Sequence, residues 1–475
     1  MTSLSARALA SLLRGWRDAA RGPVYQELAD RIRLLILDGR IPLGTRLPAE
    51  RELAHQLVLS RTTVSSAYAS LRDAGFVEST RGSGSVACLP QHDELDPDPD
   101  TPAGFVDFGK AMLPAVHGVA GAAERAVAHL PRFLGESGFD PLGLLVARQA
   151  LAEHYTARGV PTTADQLMIT VGAQHAIHLI ARTVLSRGDR AVVEAPTFPH
   201  ALEAIRAAGG RPVPVPVSTS EGWDAMTLEQ VFPRTSPVLA YLQPENHNPT
   251  GRTMEPEMRE RVARLAARQG TVVVADETIA GLGLVGRPTP PPYAASGPAV
   301  SIGSLGKSVW GGLRLGWIRA DREFIQRAAR ERFTGDLGTP ILDQLILLEL
   351  LPRYDEILAE RRAALARGRD QLAARLRAAI PEWEVPHTEG GIASWINLGA
   401  PMSTALAIAA RAEGLILAAG PRFGVEGGVF ERFIRVPFTY PSDEIDRGVD
   451  RLIAAWSRVR RTPAIVAEPE YAQVV

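Results

Sequence analysis

The segment Gln91-His-Asp-Glu-Leu-Asp-Pro-Asp-Pro-Asp100, with five acidic residues and two prolines, splits this chain into two parts of very unequal length. It reads as an exposed linker, and its charge would keep it away from any nucleic-acid surface. A chain of 475 residues is too long for one growing hydrophobic core, so two or more domains are expected. Hydrophobic residues make up 45% and charged residues 22%, which fits folded rather than disordered or fibrous protein. Cys88 is the single cysteine and excludes an intramolecular disulfide. No apolar run reaches the roughly 18 residues of a membrane span, so a cytoplasmic protein with no membrane partner is expected.

Before the linker, residues 1–87 hold 12 Arg against 8 Asp plus Glu, although the whole chain has a net charge of −1. This end suits an anionic partner. Apolar residues at Tyr25, Leu28, Ile32, Leu35 and Ile36 predict a helix with one buried stripe over Tyr25–Leu37. A second, short helix is expected over Pro48–Leu57, burying Leu53, Ala54 and Leu57. Ser60 can cap a third, whose Val64, Ala67, Tyr68 and Leu71 share one face. Two short helices with a tight join suit a helix-turn-helix, which reads a major groove with the first residues of its second helix. Those residues are Arg61, Thr62 and Thr63, able to grip phosphate or base edges. Phe76 to Val86 reads as two strands joined at Gly82-Ser-Gly84, a wing whose Arg81 can approach a minor groove or backbone.

The Leu47-Pro-Ala-Glu-Arg-Glu-Leu-Ala stretch, Ser60-Arg-Thr-Thr-Val-Ser-Ser-Ala-Tyr and the Gly75–Gly84 segment closely resemble the winged helix-turn-helix of GntR-type bacterial repressors. The resemblance covers roughly residues 22–88. It implies double-stranded operator DNA as partner, met by Arg51, Arg61, Thr62 and Thr63 together with the wing around Arg81 and Gly82.

Beyond the linker, short β-prone runs start at Leu167, Arg190, Pro212, Val238, Thr271 and Val300, several of them separated by helical patterns. That order predicts a mainly parallel α/β sheet with ligands at the strand ends. A smaller α+β domain is expected from the later helices Ile341–Leu351 and Arg361–Ile380 and the strands Gly390–Leu398 and Phe433–Phe438. The expected organisation is a head over 20–90, an acidic linker over 91–103 and a body over 104–461. Within the body the large subdomain takes about 143–330, and the small one about 104–142 and 331–461.

Of the 52 Lys plus Arg residues only Lys110 and Lys307 are lysine, so amine chemistry survives at two places in a chain that otherwise uses arginine. Arginine stays protonated, whereas a lysine whose site depresses its pKa becomes a nucleophile. Lys307 lies in the Gly/Ser-rich segment Gly303–Arg314 after a strand, the better candidate. Gly172, Ala173 and Gln174 fall between a strand and a helix, where backbone N–H groups favour phosphate. Arg314 and Ser304 can add donors to it. Asp276 ends an apolar strand and needs a partner such as a protonated pyridine nitrogen. Asn248 can donate to a ring oxygen, and Phe198 can stack on a ring. His175 and His178 lack the Cys or carboxylate companions of a metal site, so no metal is expected.

As an ordered set, Asn248-Pro-Thr-Gly251, Asp276, the Ser304–Lys307 cluster and Gly312-Leu-Arg-Leu-Gly-Trp317 resemble fold type I enzymes of the aspartate aminotransferase family, over about Phe105 to Ala455. The resemblance implies pyridoxal 5'-phosphate in Schiff-base linkage to Lys307, with Asp276 on the pyridine nitrogen and Asn248 on the ring oxygen. It places Gly172, Ala173, Gln174, Ser304 and Arg314 around the phosphate, and makes Arg435 the clamp for an effector or substrate carboxylate. Two departures stand out. Where the family has a tyrosine two or three positions after the aspartate, this chain has Thr278 and Ile279, and Gly306 replaces the serine before the lysine. One net hydrogen bond to the ring, about 1 kcal/mol, is thereby expected to be missing.

A GntR-like head on such a body is similar to the MocR subfamily of transcription regulators. It implies a homodimer whose heads meet paired half-sites while a small amino or amine metabolite is sensed at the cofactor. The alternatives are an active aminotransferase tethered to DNA and an inert dimerisation scaffold, the latter consistent with Thr278, Ile279 and Gly306.

Overall fold

The computed structural model describes residues 3–13, 16, 23–38, 40–80, 84–88, 104–284, 286 and 288–461. The acidic linker and the wing residues Arg81 and Gly82 lie outside the described residues, as does the tail from Ala464.

The head contains α1 (Ala6–Leu12), α2 (Val24–Leu37), α3 (Glu50–Leu57), α4 (Arg61–Asp73) and the antiparallel pair β1 (Val77–Thr80) and β2 (Gly84–Ala87). Ser60 caps α4 by accepting from the Thr63 N–H at 3.0 Å. The helix expected from Pro48 begins instead at Glu50, and the Pro48 carbonyl accepts from the buried Tyr68 hydroxyl at 2.9 Å, tying α4 to the start of α3. The wing has a third member, because residues 44–47 exchange backbone hydrogen bonds with Ser85 and Ala87. Sequence periodicity did not reveal α1, whose Leu9 is fully buried against the same core as Leu28, Ile32, Leu53, Val64 and Tyr68.

One expectation about α2 changes. It has two buried faces rather than one stripe, because Leu34 joins the core of the C-terminal subdomain while Leu28, Ile32 and Leu35 stay in the head. Beside Leu34, the Arg31 guanidinium donates to Thr404 Oγ1 and pairs with Glu431. The Glu431 carboxylate is already held by the Ser403 hydroxyl at 3.0 Å and by the Thr404 N–H at 3.1 Å, so the body presents a formed socket to the head.

The body's strands are β3 (Val106–Asp107), β4 (Leu167–Thr170), β5 (Arg190–Ala195), β6 (Arg211–Ser218), β7 (Gly222–Trp223), β8 (Leu239–Leu242), β9 (Val272–Asp276), β10 (Val300–Ser304) and β11 (Gly316–Arg319), followed by the short strands of the small subdomain. Eight of them form one sheet in the order β4-β11-β10-β9-β8-β5-β6-β7. The run β10-β9-β8-β5-β6 is parallel, as the helix-strand alternation predicts. β11, which the sequence did not mark, is antiparallel to both neighbours and carries Trp317 back beside β10. Helices Gly172–Val184 and Pro199–Ala207 pack on one face through Ile177, Ile180, Leu202 and Ile205. On the other, Leu151 and Tyr155 of helix Leu145–Ala157 meet Ile169 and Trp317.

The C-terminal subdomain pairs Ala393–Asn397 with Phe433–Pro437 and covers them with helices Tyr354–Ala379, Ser403–Ala412 and Ser442–Arg461. Val106, Phe108, Ala111 and Leu113 join its core, whereas Val116 and helix Val119–His129 pack with helix Ile341–Leu350 on the large sheet. No helix among the described residues is long and apolar enough to cross a membrane.

Candidate functional site

The parallel strands deliver their C-terminal ends to one side of the sheet, where open α/β folds bind ligands. Asp276 ends β9, Ser304 ends β10, Gly172 follows β4 and Phe198 follows β5. The turn from Asn246 to Gly251 follows β8 and is closed by the Gly251 N–H on the His247 carbonyl at 2.6 Å. Behind this turn His247 lies 3.2 Å from Glu194, which also accepts from the Trp223 indole at 2.7 Å and the Gln243 N–H at 2.9 Å. Asn248 is thus set on a buried polar foundation, yet its own Oδ1 has no hydrogen-bond partner among the described residues.

Asp276 is buried, and burial raises its pKa while hydrogen bonds pull it back down. Its Oδ2 accepts from the Tyr241 hydroxyl at 2.5 Å, and Oδ1 accepts from the Thr278 N–H at 3.0 Å and from the Thr278 hydroxyl. The Gln243 side chain adds a further bond. Neither of the two positions that replace the family tyrosine is free to serve a ring: Thr278 is spent on Asp276, and Ile279 is buried in the core of the small subdomain.

Lys307 Nζ donates to the Ala111 carbonyl at 2.7 Å, so the segment after β3 lies over the amine. Burial, followed by the charges of Arg435 and Arg314, lowers the Lys307 pKa to about 8. Arg435 comes from the Phe433–Pro437 strand, donates to the Gly109 carbonyl and lies 5.2 Å above the Phe423 ring. Its Nε has no hydrogen-bond partner among the described residues, and burial lowers its pKa. The far-separated chain positions 307 and 435 are therefore brought together, with Ala111 and Gly109 beside them, and Asp276 ends the strand next to the one that leads into Lys307.

Gly172 opens its helix at φ +77°, and a Cβ there would stand 3.2 Å from the Arg314 guanidinium. Arg314 is itself held at φ +48°, a conformation uncommon for non-glycine residues. It is exposed and donates to the Val171 carbonyl at 3.4 Å. A Cβ at Gly316 would lie 2.7 Å from the Gly172 backbone, so only glycine lets β11 approach this helix start. The Ser304 hydroxyl is committed to the Leu315 carbonyl and accepts the Gly306 N–H, both at 3.0 Å. A Cβ at Gly306 would stand 3.2 Å from that hydroxyl, a close contact to which the Ser304 side chain would have to yield. Gln174 is exposed and donates to the His200 carbonyl; Phe198 is half-buried, edge-on to His200. His175 is engaged with Asp336 at 3.0 Å.

In the head, Arg51, Arg61 and Thr62 are exposed and Thr63 half-buried, at the N-terminal turns of α3 and α4. Thr62 and Thr63 also share the Ser60 hydroxyl, at 2.8 and 2.7 Å. Sequence reasoning missed Tyr241 and Gln243 on Asp276, the carbonyls over Lys307 and Arg435, and Arg46, whose guanidinium would meet a Cβ on Gly84 at 3.0 Å. None of these carries a local motif; each is a contact between distant segments.

Strand order, with Asp276 and Ser304 at the ends of neighbouring parallel strands and Lys307 in the turn that follows, defines an aminotransferase-fold body of fold type I, joined to a helix-turn-helix head. The class I and II aminotransferase model matches residues 136–452, and the bacterial gntR-family regulatory model matches residues 24–86. The helix-turn-helix regulator YdfD of Bacillus subtilis is 24% identical over 90% of this chain and 95% of its own length. The probable rhizopine catabolism regulatory protein MocR of Rhizobium meliloti is 28% identical over 62% of this chain and 65% of its own. Among solved structures, the α-aminoadipate aminotransferase LysN of Thermus thermophilus, complexed with N-(5'-phosphopyridoxyl)-L-leucine, superposes with a TM-score of 0.69 at 27% identity, covering 75% of this chain and 93% of that one. The chain belongs to the class I and II aminotransferase family, in the GntR/MocR-type arrangement with a DNA-binding head. The body accordingly has the pyridoxal phosphate site of that fold. The residues present fit the group: Asp276 is a buried carboxyl that can exchange one of its donors for a ring N–H, Lys307 is a buried amine with a lowered pKa, and the glycine-opened helix start beside Arg314 offers backbone donors to a phosphate.

Proposed function

We propose that the protein is a cytoplasmic transcription regulator that senses a small amino or amine metabolite at pyridoxal phosphate linked to Lys307. One observation carries the reading: a buried amine with a pKa near 8 and an exposed recognition-helix start occur in one chain, and α2 has side chains in both bodies.

Bound pyridoxal phosphate supplies an aldehyde that condenses reversibly with primary amines. In this reading Lys307 provides the resident amine, and its lowered pKa leaves a useful fraction unprotonated near neutral pH. Asp276 holds the ring nitrogen and Asn248 faces the ring oxygen, while Phe198 covers one ring face. Gly172, Ala173 and Gln174 offer backbone donors to the phosphate, with Ser304 and Arg314 beside them. Arg435 binds the carboxylate of the metabolite in bidentate fashion. In the head, Arg51, Arg61, Thr62 and Thr63, with Arg81 and Gly82 of the wing, face operator DNA.

The working unit in this reading is a homodimer formed through the body, its two heads meeting paired half-sites. The metabolite acts by binding two arrangements of the body with unequal affinity, since equal affinity shifts nothing. The test combines an absorption spectrum with binding to the intergenic DNA beside the protein's own gene, with and without cofactor and amino compounds. Cofactor-bound protein whose DNA affinity responds to an amine supports the proposal. DNA binding indifferent to every amine, together with steady transamination, would make the chain a tethered enzyme instead.

A further inference from the structure

A cavity of about 480 Å³ lies where head meets body, lined by Ser11, Leu12 and Arg40 from one side and by Glu203, Arg206 and Arg422 among others from the other. It shares no lining residue with the Lys307 and Asp276 site. Three guanidinium groups line it together with the carboxylates of Glu203 and Glu426, and the Asp38 carboxyl lies within the fields of Arg422 and Arg40. Glu203 is already bound to His200 at 2.8 Å and Arg422 at 3.3 Å, and Glu426 is exposed at the rim. Arg206 spends one nitrogen on the Val425 carbonyl at 2.6 Å. Arg40 donates to no acceptor among the described residues, and the Asp38 carboxyl behind it is itself buried. Burial, together with the repulsion of Arg206, Arg31 and Arg422, keeps the Arg40 guanidinium below its usual range against the pull of Asp38.

Guanidinium groups gathered in a half-enclosed space, with Glu203 shared between His200 and Arg422 and with Arg40 making no hydrogen bond to a described residue, keep donors available for an incoming oxyanion. Guanidinium forks match phosphate and carboxylate oxygens, and the volume suits a small metabolite rather than a bare ion. We propose that this cavity is a second ligand site, taking a small metabolite through its oxyanion group and bridging Arg40 of the head to Arg206 and Arg422 of the body. A ligand held on both walls stabilises the docked head by mass action.

The test uses the full chain saturated with pyridoxal phosphate, so that the phosphate cradle beside Arg314 is filled. Inorganic phosphate and malonate are titrated separately by calorimetry at constant ionic strength, with chloride as the reference anion. Saturable binding of about one anion per chain is expected, with the cofactor absorbance unchanged. Tighter binding of phosphate identifies a phosphorylated metabolite as the natural class, and tighter binding of malonate a carboxylate. Arg40→Gln and Arg206→Gln, taken from opposite walls and each checked for cooperative unfolding, should weaken binding about tenfold or more, the loss of one charge-assisted hydrogen bond. No saturable binding of either anion, binding that releases the cofactor, or binding that both variants leave intact would overturn the proposal.

Discussion

The Tyr241 hydroxyl at the end of β8 donates to Asp276 Oδ2 at the end of β9, 2.5 Å away, and does so from the neighbouring strand rather than from the residues that follow the aspartate. With both Thr278 donors and Gln243 in place, the carboxylate has about as many donors as its lone pairs can accept. A ring N–H must take the place of one. Tyr241→Phe should therefore cost the cofactor-free chain about 1 kcal/mol of stability and the cofactor-bound chain less. Thermal unfolding of both forms checks this, and equal losses would mean that Tyr241 keeps its bond when the cofactor is present.

The pKa of Lys307 near 8 has a sign that can be read in solution. The ordinary lysine value is 10.5, so between these values the unfolded chain binds the extra proton and the folded one does not. Stability attributable to this group should rise with pH across that window and be flat below it. The difference in urea midpoint between the cofactor-free wild type and Lys307→Met, measured at about pH 8 and about pH 10, should shift toward the wild type at the higher pH. The same variant should lose the borohydride-trapped cofactor adduct; an adduct that persists would transfer the role to another amine.

Arg61 stands exposed at the first position of α4, one residue beyond the Ser60 cap. If it grips a base edge with both nitrogens, Arg61→Ala should weaken operator binding by about 1–3 kcal/mol and reduce discrimination against scrambled DNA. A parallel loss on both sequences would instead mark a phosphate contact.

Val58 occupies the turn between α3 and α4 at φ +54° and is 85% exposed. A β-branched residue in the left-handed region costs roughly 1–2 kcal/mol that packing does not return here. Val58→Gly should raise the stability of the head by about 1 kcal/mol, less the entropy of the added glycine. A lower melting temperature would show that the side chain has a partner, with DNA the first to test.

The head was legible because its information is local: one capping serine, three apolar stripes and a glycine-bounded hairpin. The body's strand positions followed from runs such as Val272–Asp276, and Lys307 from being one of only two lysines. What the sequence withheld are relationships between remote segments. β11 went unmarked because Gly316 and Arg319 flank only two apolar residues, and its place between β4 and β10 depends on pairings far along the chain. Tyr241 and Ala111 reach Asp276 and Lys307 across 35 and 196 residues, respectively. Leu34 and Arg31 sit within an ordinary amphipathic pattern, and nothing local indicates that a different subdomain covers them.

That attachment fixes what the DNA end of the molecule can follow. The buried packing and the ion pair of α2 fasten the head to the lobe that bears Arg435, while toward the sheet that bears Asp276 it faces a cavity. Any swing of that lobe over the sheet must carry α4 along as cargo, and in a paired molecule the gap between two reading helices becomes a gauge of how far each lobe has shut.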